Sequence, residues 1–514
     1  MRVLPAVLLL LPTLAFAQTD LSQWKQVTGD WRVAEGVIEQ TDPSRLASAI
    51  QRDPAYGDGR VTVEFNIAAT GKGVRAAAVI LHATGTLTHY WLHLDSNNHQ
   101  LILTRRTPTN PWIEIARRGC AALTEGVWHT VVVDTKGKKI TVALDGTEVL
   151  SAEDANLPAG RVGLGTSQGA VAFRNLKIEG ETVPMEPLKD EQPPFQVISV
   201  GEASGPYQAF PDACRMQSGD IIVCFYAGYG HVSLPTAEWP KGGRICTARS
   251  SDEGRTWSKP TVLFDDELDN RDPHIAQLAD GTLICTYFSY WKVGEATRYQ
   301  TLAVRSTDGG ATWGTKGQPV TPEMWAESAP VREMPNGTLL LGVYAEGANG
   351  SFGGVVRSTD HGKTWSEPIP IGKEANLPLD AETDVILLKD GTLYAALRSS
   401  SINMHYATSP DLGLTWSAVK DIGFKAHSPH FTRLSTGEII MTHRLPATAM
   451  HVSRDECRTW AGPYQIDSVG GAYPATVELK DKTVLAIYYE EGEGSAIRAL
   501  RFRLTAAGIE PLPW

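Results

Sequence analysis

Eight residues that could do chemistry fall at two fixed distances from a turn that the chain repeats. Ten and nine positions before the turn's second residue stand Arg271-Asp272, Glu327-Ser328, Ala381-Glu382, His427-Ser428 and Ala472-Tyr473, with Ala209-Phe210 ahead of the first copy. Seven positions after it stand Tyr226, Phe288, Tyr344, Arg398, Arg444 and Tyr489. The types are complementary. Arginines offer paired donors to a carboxylate. A tyrosine, with an ordinary pKa near ~10, acts as a nucleophile only beside a base. Residues at equal distance from equivalent turns share one end of equivalent hairpins. If those hairpins are the inner strands of a ring, Arg271, Asp272, Glu327, Glu382, His427, Tyr473, Arg398 and Arg444 converge on one concave mouth. Convergent polar groups in a concavity are the default site.

The turns are Ser218-Gly219, Asp280-Gly281, Asn336-Gly337, Asp390-Gly391, Thr436-Gly437 and Asp481-Lys482, each followed by an apolar run. Six hairpins predict six blades. A second repeat, Ser-x-Asp-x-Gly-x-Thr-Trp, accompanies them at Ser250, Ser306, Ser358, Ser409 and Ser453. Its Asp positions are 56, 52, 51 and 44 residues apart, a spacing that means a propeller or solenoid. The Asp accepts backbone N–H bonds in a turn, the Gly takes positive φ, and the Trp packs on a neighbouring sheet. This repeat reads as a folding device. Its fifth copy has Cys457 in the glycine place, and relief of strain there predicts that Cys457→Gly stabilises the fold by roughly 1 kcal/mol.

The remaining chain divides in order. Residues 1–17 read as an export signal, with Arg2, an apolar run and Ala15-Phe16-Ala17 before the cut, so a periplasmic or secreted protein is expected. Residues 20–181 carry strand alternation at Arg60–Phe65, Tyr90–Leu94, Trp128–Val133 and Lys139–Leu144, with a hairpin turn at Asp145-Gly146. That predicts a β-sandwich of jelly-roll type. There Trp91, Trp112 and Tyr90 could stack on a sugar ring, although core packing is the simpler use of Trp91. Residues 182–195, with Pro184, Pro187, Pro193 and Pro194, read as a stiff linker, and 196–514 as the propeller. The fold class is therefore all-β.

Charge sums to −11 from 47 basic and 58 acidic residues, without charged runs, which argues against nucleic acid as a partner. No later segment is apolar enough to span a membrane. The six cysteines show no metal-ligand spacing, and no metal or cofactor is indicated. A Cys214–Cys224 disulfide across the Gln217–Asp220 turn is possible.

The Asp-boxes, the six hairpins and the mouth constellation resemble the sialidase (neuraminidase) superfamily over nearly all of 195–514. The N-terminal unit, through Gly126–Val131 and Leu144–Val149, resembles the laminin-G/concanavalin-type jelly roll. In the sialidase resemblance Tyr473 corresponds to the catalytic tyrosine, Glu382 to its base, and Arg398 and Arg444 to the second and third arginines. The chemistry is coherent: sialic acid carries a carboxylate on its anomeric carbon, which repels an anionic nucleophile and suits a neutral tyrosine. The chain departs from the family in its first hairpin. Ala209-Phe210-Pro211 stands where the family has Arg-Ile-Pro, and the loop Tyr226–Ser233 lacks the family's Asp. Arg271 is expected to replace the missing arginine, and His231 and Asp272 are the acid/base candidates. Alternatively, Arg271 and Asp272 pair with each other at a blade rim.

The resemblance implies an exported exo-glycosidase on sialic acid or another acidic sugar. The alternatives are a non-catalytic carbohydrate-binding propeller and a hydrolase or lyase on uronic acids.

Overall fold

The computed structural model describes residues 20–514 apart from 43–45, 70–74, 168, 202–203, 347–350, 381, 446, 468–470 and 492–494. The expected export signal lies outside the described residues, as does Ala381 beside Glu382. The chain forms two compact units, 1–193 and 194–514. Among the described residues no helix is long and apolar enough to cross a membrane.

The first unit is a sandwich of two seven-stranded antiparallel sheets. Alternation explains which face is inside. Val61, Val63 and Phe65 point inward from one long strand, Ala55–Ile67, and Val131, Val133 and Phe173 point inward from the strands on either side of it. Leu92, Leu94, Leu101 and Leu103 meet them from the other sheet. Trp91 lies on the opposite face of that second sheet, 1% exposed against Ala78 and Ile80. Its ring fills the space above Gly165, where a Cβ would come within 2.3 Å of it. Trp91 thus packs, Tyr90 is buried with its hydroxyl donated to Asp154 at 2.7 Å, and only Trp112 is exposed. The proline-rich stretch, expected as a stiff linker, is tied to this unit. Thr86 N–H donates to the Lys189 carbonyl at 2.9 Å, Lys189 N–H donates to the Thr84 carbonyl at 3.2 Å, and the Glu191 carboxylate accepts from Leu87 N–H and Thr88 Oγ1.

The second unit is a six-bladed propeller, each blade an antiparallel sheet. The inner strands start at Tyr207, Asp269, Ala326, Thr383, His427 and Gly471. The sixth blade is completed by the unit's own beginning: Phe195–Val200 pairs antiparallel with Ala496–Leu504, Phe195 facing Leu500. All five Asp-boxes adopt one turn. In the third, Ser358 Oγ donates to Asp360 at 2.8 Å, Gly362 N–H donates to Ser358 Oγ at 2.7 Å, and Thr364 N–H and Oγ1 donate to the two Asp360 oxygens.

Cys457 takes φ +62° in the fifth Asp-box, the conformation of its glycine counterparts, and its N–H donates to Ser453 Oγ at 2.9 Å. Its thiol, however, is buried in the cluster of Tyr394, Phe431 and Trp460. The ~1 kcal/mol of backbone relief from glycine is therefore opposed by lost burial of comparable size. Cys457→Gly is now expected to move stability by less than about 1 kcal/mol in chemical denaturation, where strain alone predicted a gain. A loss above about 2 kcal/mol would mean that packing governs the position. Among the described residues all six cysteines are free, so Cys214 and Cys224 form no disulfide.

Candidate active site

Four inner strands carry the same irregularity. The pairing slips between Ala209 and Asp212, Arg271 and His274, His427 and His430, and Ala472 and Ala475. Within each slip one residue has positive φ: Phe210 at 51°, Asp272 at 46°, Ser428 at 54° and Tyr473 at 36°. A proline follows each of them, at 211, 273, 429 and 474. Proline cannot donate to the ladder, so within a sheet it belongs at bulges. A bulge bends its strand and re-aims one side chain. Four non-glycine residues at φ > 0 on equivalent positions are uncommon, and such strain clusters at functional sites. With Glu382 at the matching place in the fourth blade, these bulges ring the propeller's mouth.

The ring is braced from below. The Asp212 carboxylate of blade one accepts from Ala213 N–H at 2.8 Å and Ile275 N–H at 2.9 Å. It also meets His274 Nδ1 at 3.3 Å and His430 Nε2 at 3.1 Å. The Asp384 carboxylate of blade four binds Arg332 at 2.5 Å and accepts from Phe431 N–H at 2.7 Å. Blades that are not sequence neighbours are thereby held to one another.

At the centre, Tyr473 Oη donates to Glu382 Oε1 at 2.5 Å. Arg398 Nη1 approaches the same oxygen at 2.7 Å, and Ser428 N–H and Oγ donate to Oε2 at 2.8 and 2.9 Å. Arg444 lies over the Tyr473 ring, 4.8 Å from its centre. Burial opposes a charge on Glu382, yet Arg398 and Arg444, with the bonds from Tyr473 and Ser428, hold its carboxyl below the ordinary value. Burial, and then the Glu382 charge, push the Tyr473 phenol well up. The resting pair is thus a carboxylate and a neutral phenol joined by a short charge-assisted bond.

Asp272 is 4% exposed, and its Oδ1 has no hydrogen-bond partner. Burial pushes its carboxyl up to about 6, against the opposing pull of Arg271. Arg271 reaches over Phe210, its guanidinium carbon 5.6 Å from that ring and 5.5 to 6.0 Å from the rings of Phe288, Tyr290 and Tyr226. Among the described residues no carboxylate comes within ion-pair distance of Arg271, so it makes no rim salt bridge with Asp272. Asp272 and Asp269 act on its charge without direct contact, burial opposing them.

The structure thus brings together Tyr473, Glu382, Arg398, Arg444, Asp272 and Arg271. His427 sits beside them, half-buried, with Nε2 3.1 Å from the Ser399 carbonyl. His231 stands on the rim against Phe210, the ring centres 5.3 Å apart. Glu327 is fully buried below the mouth, accepting from Ala329 N–H at 3.2 Å and lying 3.9 Å from His274 Nε2, so it does not reach the open surface. Ser428 and Phe210 are contributors that residue chemistry alone did not single out. Their signal was the shared position before a proline.

Comparison with known proteins agrees with the propeller fold. Residues 243–353 and 330–509, together just over half of the chain, match the BNR repeat-like domain family, and residues 12–179 match the 3-keto-alpha-glucoside-1,2-lyase-like domain. A sialidase of Paraclostridium sordellii is 26% identical over 223 residues, 38% of this chain. The matched part is 52% of that protein, so the chain spans about half the length of this curated relative. Among solved structures, a mutant of the NanB sialidase from Streptococcus pneumoniae superposes with a TM-score of 0.50 at 15% identity, covering 86% of this chain and 94% of that one. A leech intramolecular trans-sialidase complexed with 2,7-anhydro-Neu5Ac gives a TM-score of 0.50 at 13% identity, covering 94% of this chain and 99% of that one. These likenesses bear on the fold.

Proposed function

We propose, on the premise that this chain belongs to the BNR repeat-like family of sialidase-like propellers, that it is an exported retaining exo-glycoside hydrolase. Its substrate would be sialic acid or another acidic sugar at the end of a glycan. The observation that carries this reading is the Tyr473–Glu382 pair, flanked by Arg398 and Arg444. Tyr473 Oη attacks the anomeric carbon as its proton passes to Glu382, and the glycosidic C–O bond breaks. The phenol is uncharged when it meets an anionic substrate, and the Arg444 guanidinium over its ring stabilises the phenolate that develops. Glu382 is ionised and already bonded to the proton that it must take, which fits a general base.

The comparisons support a sialidase-like substrate through the names of the relatives. The first blade favours a second substrate class as well. Ala209-Phe210-Pro211 stands where the family has Arg-Ile-Pro, and the guanidinium over the Phe210 ring comes from Arg271 of the second blade. A uronide or another acidic sugar fits such an altered clamp. The test is fluorophore release from methylumbelliferyl sialosides, uronides and neutral glycosides. Turnover of an acidic member alone supports the reading, and turnover of none would leave a carbohydrate-binding propeller.

The clamp makes its own prediction. Removing one charge-assisted bond costs about 1.5–3 kcal/mol. Arg271→Ala and Arg444→Ala should each raise the half-saturating concentration of the acidic substrate by at least about tenfold and leave a neutral analogue unchanged. Equal losses on both substrates would assign the arginines to structure. Adding arginine at Ala209 in the Arg271→Ala background is expected to restore part of the affinity.

A further inference from the structure

A hydrogen-bond chain on the rim joins blade one to blade six beside the proposed nucleophile. Tyr207, which opens the inner strand of blade one, donates its hydroxyl to Glu491 Oε1 at 2.9 Å. Tyr489 donates to the other oxygen, Glu491 Oε2, at 2.6 Å. His231 Nδ1 lies 3.1 Å from the Tyr207 oxygen. A phenol has one proton, and an ionised carboxylate can only accept. With the Tyr207 proton given to Glu491, His231 must donate from Nδ1. Its Nε2 is then left as the working atom, without a partner among the described residues.

The rest of the loop holds that ring in place. Tyr229 and Gly230 N–H donate to Ser233 Oγ at 3.0 and 3.2 Å, and Ser233 N–H donates to Asp269 Oδ2 at 3.0 Å. Tyr226 donates to the other Asp269 oxygen at 2.9 Å, so blade two fixes a loop of blade one. His231 packs edge-on against Phe210 at 5.3 Å, and Tyr473 packs against the same ring at 5.0 Å. His231 is exposed, whereas Asp272 is 4% exposed within the ring of bulges. A departing sugar leaves through the mouth, past the rim.

We propose that His231 is the acid/base of the hydrolysis proposed above, and that Tyr207 and Glu491 are positioning residues that fix its tautomer. This inference rests on that reading of the site. In the first step the imidazolium gives its Nε2 proton to the leaving oxygen as the Tyr473 bond forms. In the second, neutral Nε2 takes a proton from water, whose oxygen bonds to the anomeric carbon. Tyr473 then departs and recovers its proton from Glu382. Partial burial of the ring, and then the charges of Arg271 from blade two and Arg444 from blade five, hold the His231 value below the ordinary one, and the Glu491 carboxylate from blade six opposes them in favour of the imidazolium.

The test compares a methylumbelliferyl glycoside, whose leaving group needs little protonation, with the same acidic sugar linked to galactose, whose leaving group needs much. His231→Ala is expected to lower kcat/KM on the galactoside at least ~100-fold and on the aryl glycoside less than ~10-fold. Added imidazole should restore part of the lost rate. Tyr207→Phe and Glu491→Gln should reduce kcat more than they change KM. Loss of the Glu491 charge lowers the His231 pKa, so the alkaline limb of kcat/KM should move to lower pH in Glu491→Gln and stay in place in Tyr489→Phe. Equal losses of His231→Ala on both substrates, or leaving-group dependence in Asp272→Asn instead, would overturn the assignment while leaving the Tyr473 mechanism intact. A wild-type protein that turns over no acidic glycoside would overturn both. Circular dichroism melting of each variant separates misfolding from lost chemistry.

Discussion

Tyr473→Phe is expected to lower turnover of the best acidic glycoside by at least about a thousandfold, because the proposed mechanism forms its covalent bond through the phenol oxygen and an anionic substrate repels the carboxylates beside it. The substitution removes a single oxygen. The Tyr473 backbone, at φ 36°, keeps its bulge, and the ring keeps its edge contacts with Phe210 and its place under Arg444. Glu382 loses one donor but retains Arg398 and Ser428. The stability cost is therefore bounded by one hydrogen bond to a charged group, about 1.5–3 kcal/mol. Steady-state rates with a circular dichroism check decide the matter. A folded variant that keeps a tenth or more of wild-type turnover would remove Tyr473 from the nucleophile's role.

Arg398→Ala should produce the largest loss of stability among the site substitutions. Glu382 is 2% exposed, and the Arg398 side chain beside it is 16% exposed. Deleting one member of a buried ion pair leaves an uncompensated charge, at a cost of about 3–5 kcal/mol. Part of that is offset here by Arg444 and by the two Ser428 donors. The double variant Arg398→Met with Glu382→Gln should recover most of the loss, since it removes both charges. It should not recover activity, since glutamine cannot take the Tyr473 proton. Urea denaturation of the two variants supplies the comparison. Wild-type stability in Arg398→Ala would mean that Glu382 is held chiefly by its other partners.

The six-fold count and the convergence of Tyr473, Glu382, Arg398 and Arg444 could be read from turn spacing, because turn chemistry is local and the repeat carries it intact, and the two-unit division from strand alternation and the proline-rich stretch. Distance along a strand does not, however, fix the face on which a residue emerges. In blade three the inner strand is broken into Ala326–Glu327 and Arg332–Glu333, and Glu327 ends beneath the mouth. In blades one, two, five and six the proline-marked bulge re-aims the residue ahead of it. Glu491 and Tyr207 escaped the sequence altogether. They are 284 residues apart, and neither lies at the two distances from the turn that mark the mouth residues. Only closure of the ring makes them neighbours.

That closure also dictates an order of events during synthesis. Phe195–Val200 is made before any of the five blades that separate it from its partner, Ala496–Leu504. Its hydrogen-bonding groups must wait, without their final ladder, while about 300 residues are added, and the entropy of closing so long a loop is recovered only at the end. Val197 and Val200 remain about half exposed even in the finished blade, at 48% and 51%. A lone strand with apolar side chains is a template for pairing with a neighbouring chain. The ring therefore depends on its first-made segment staying solitary until its last-made one arrives. A chain begun at Gly201 would leave Ala496–Leu504 as a permanent open edge, ready to recruit strands from its neighbours.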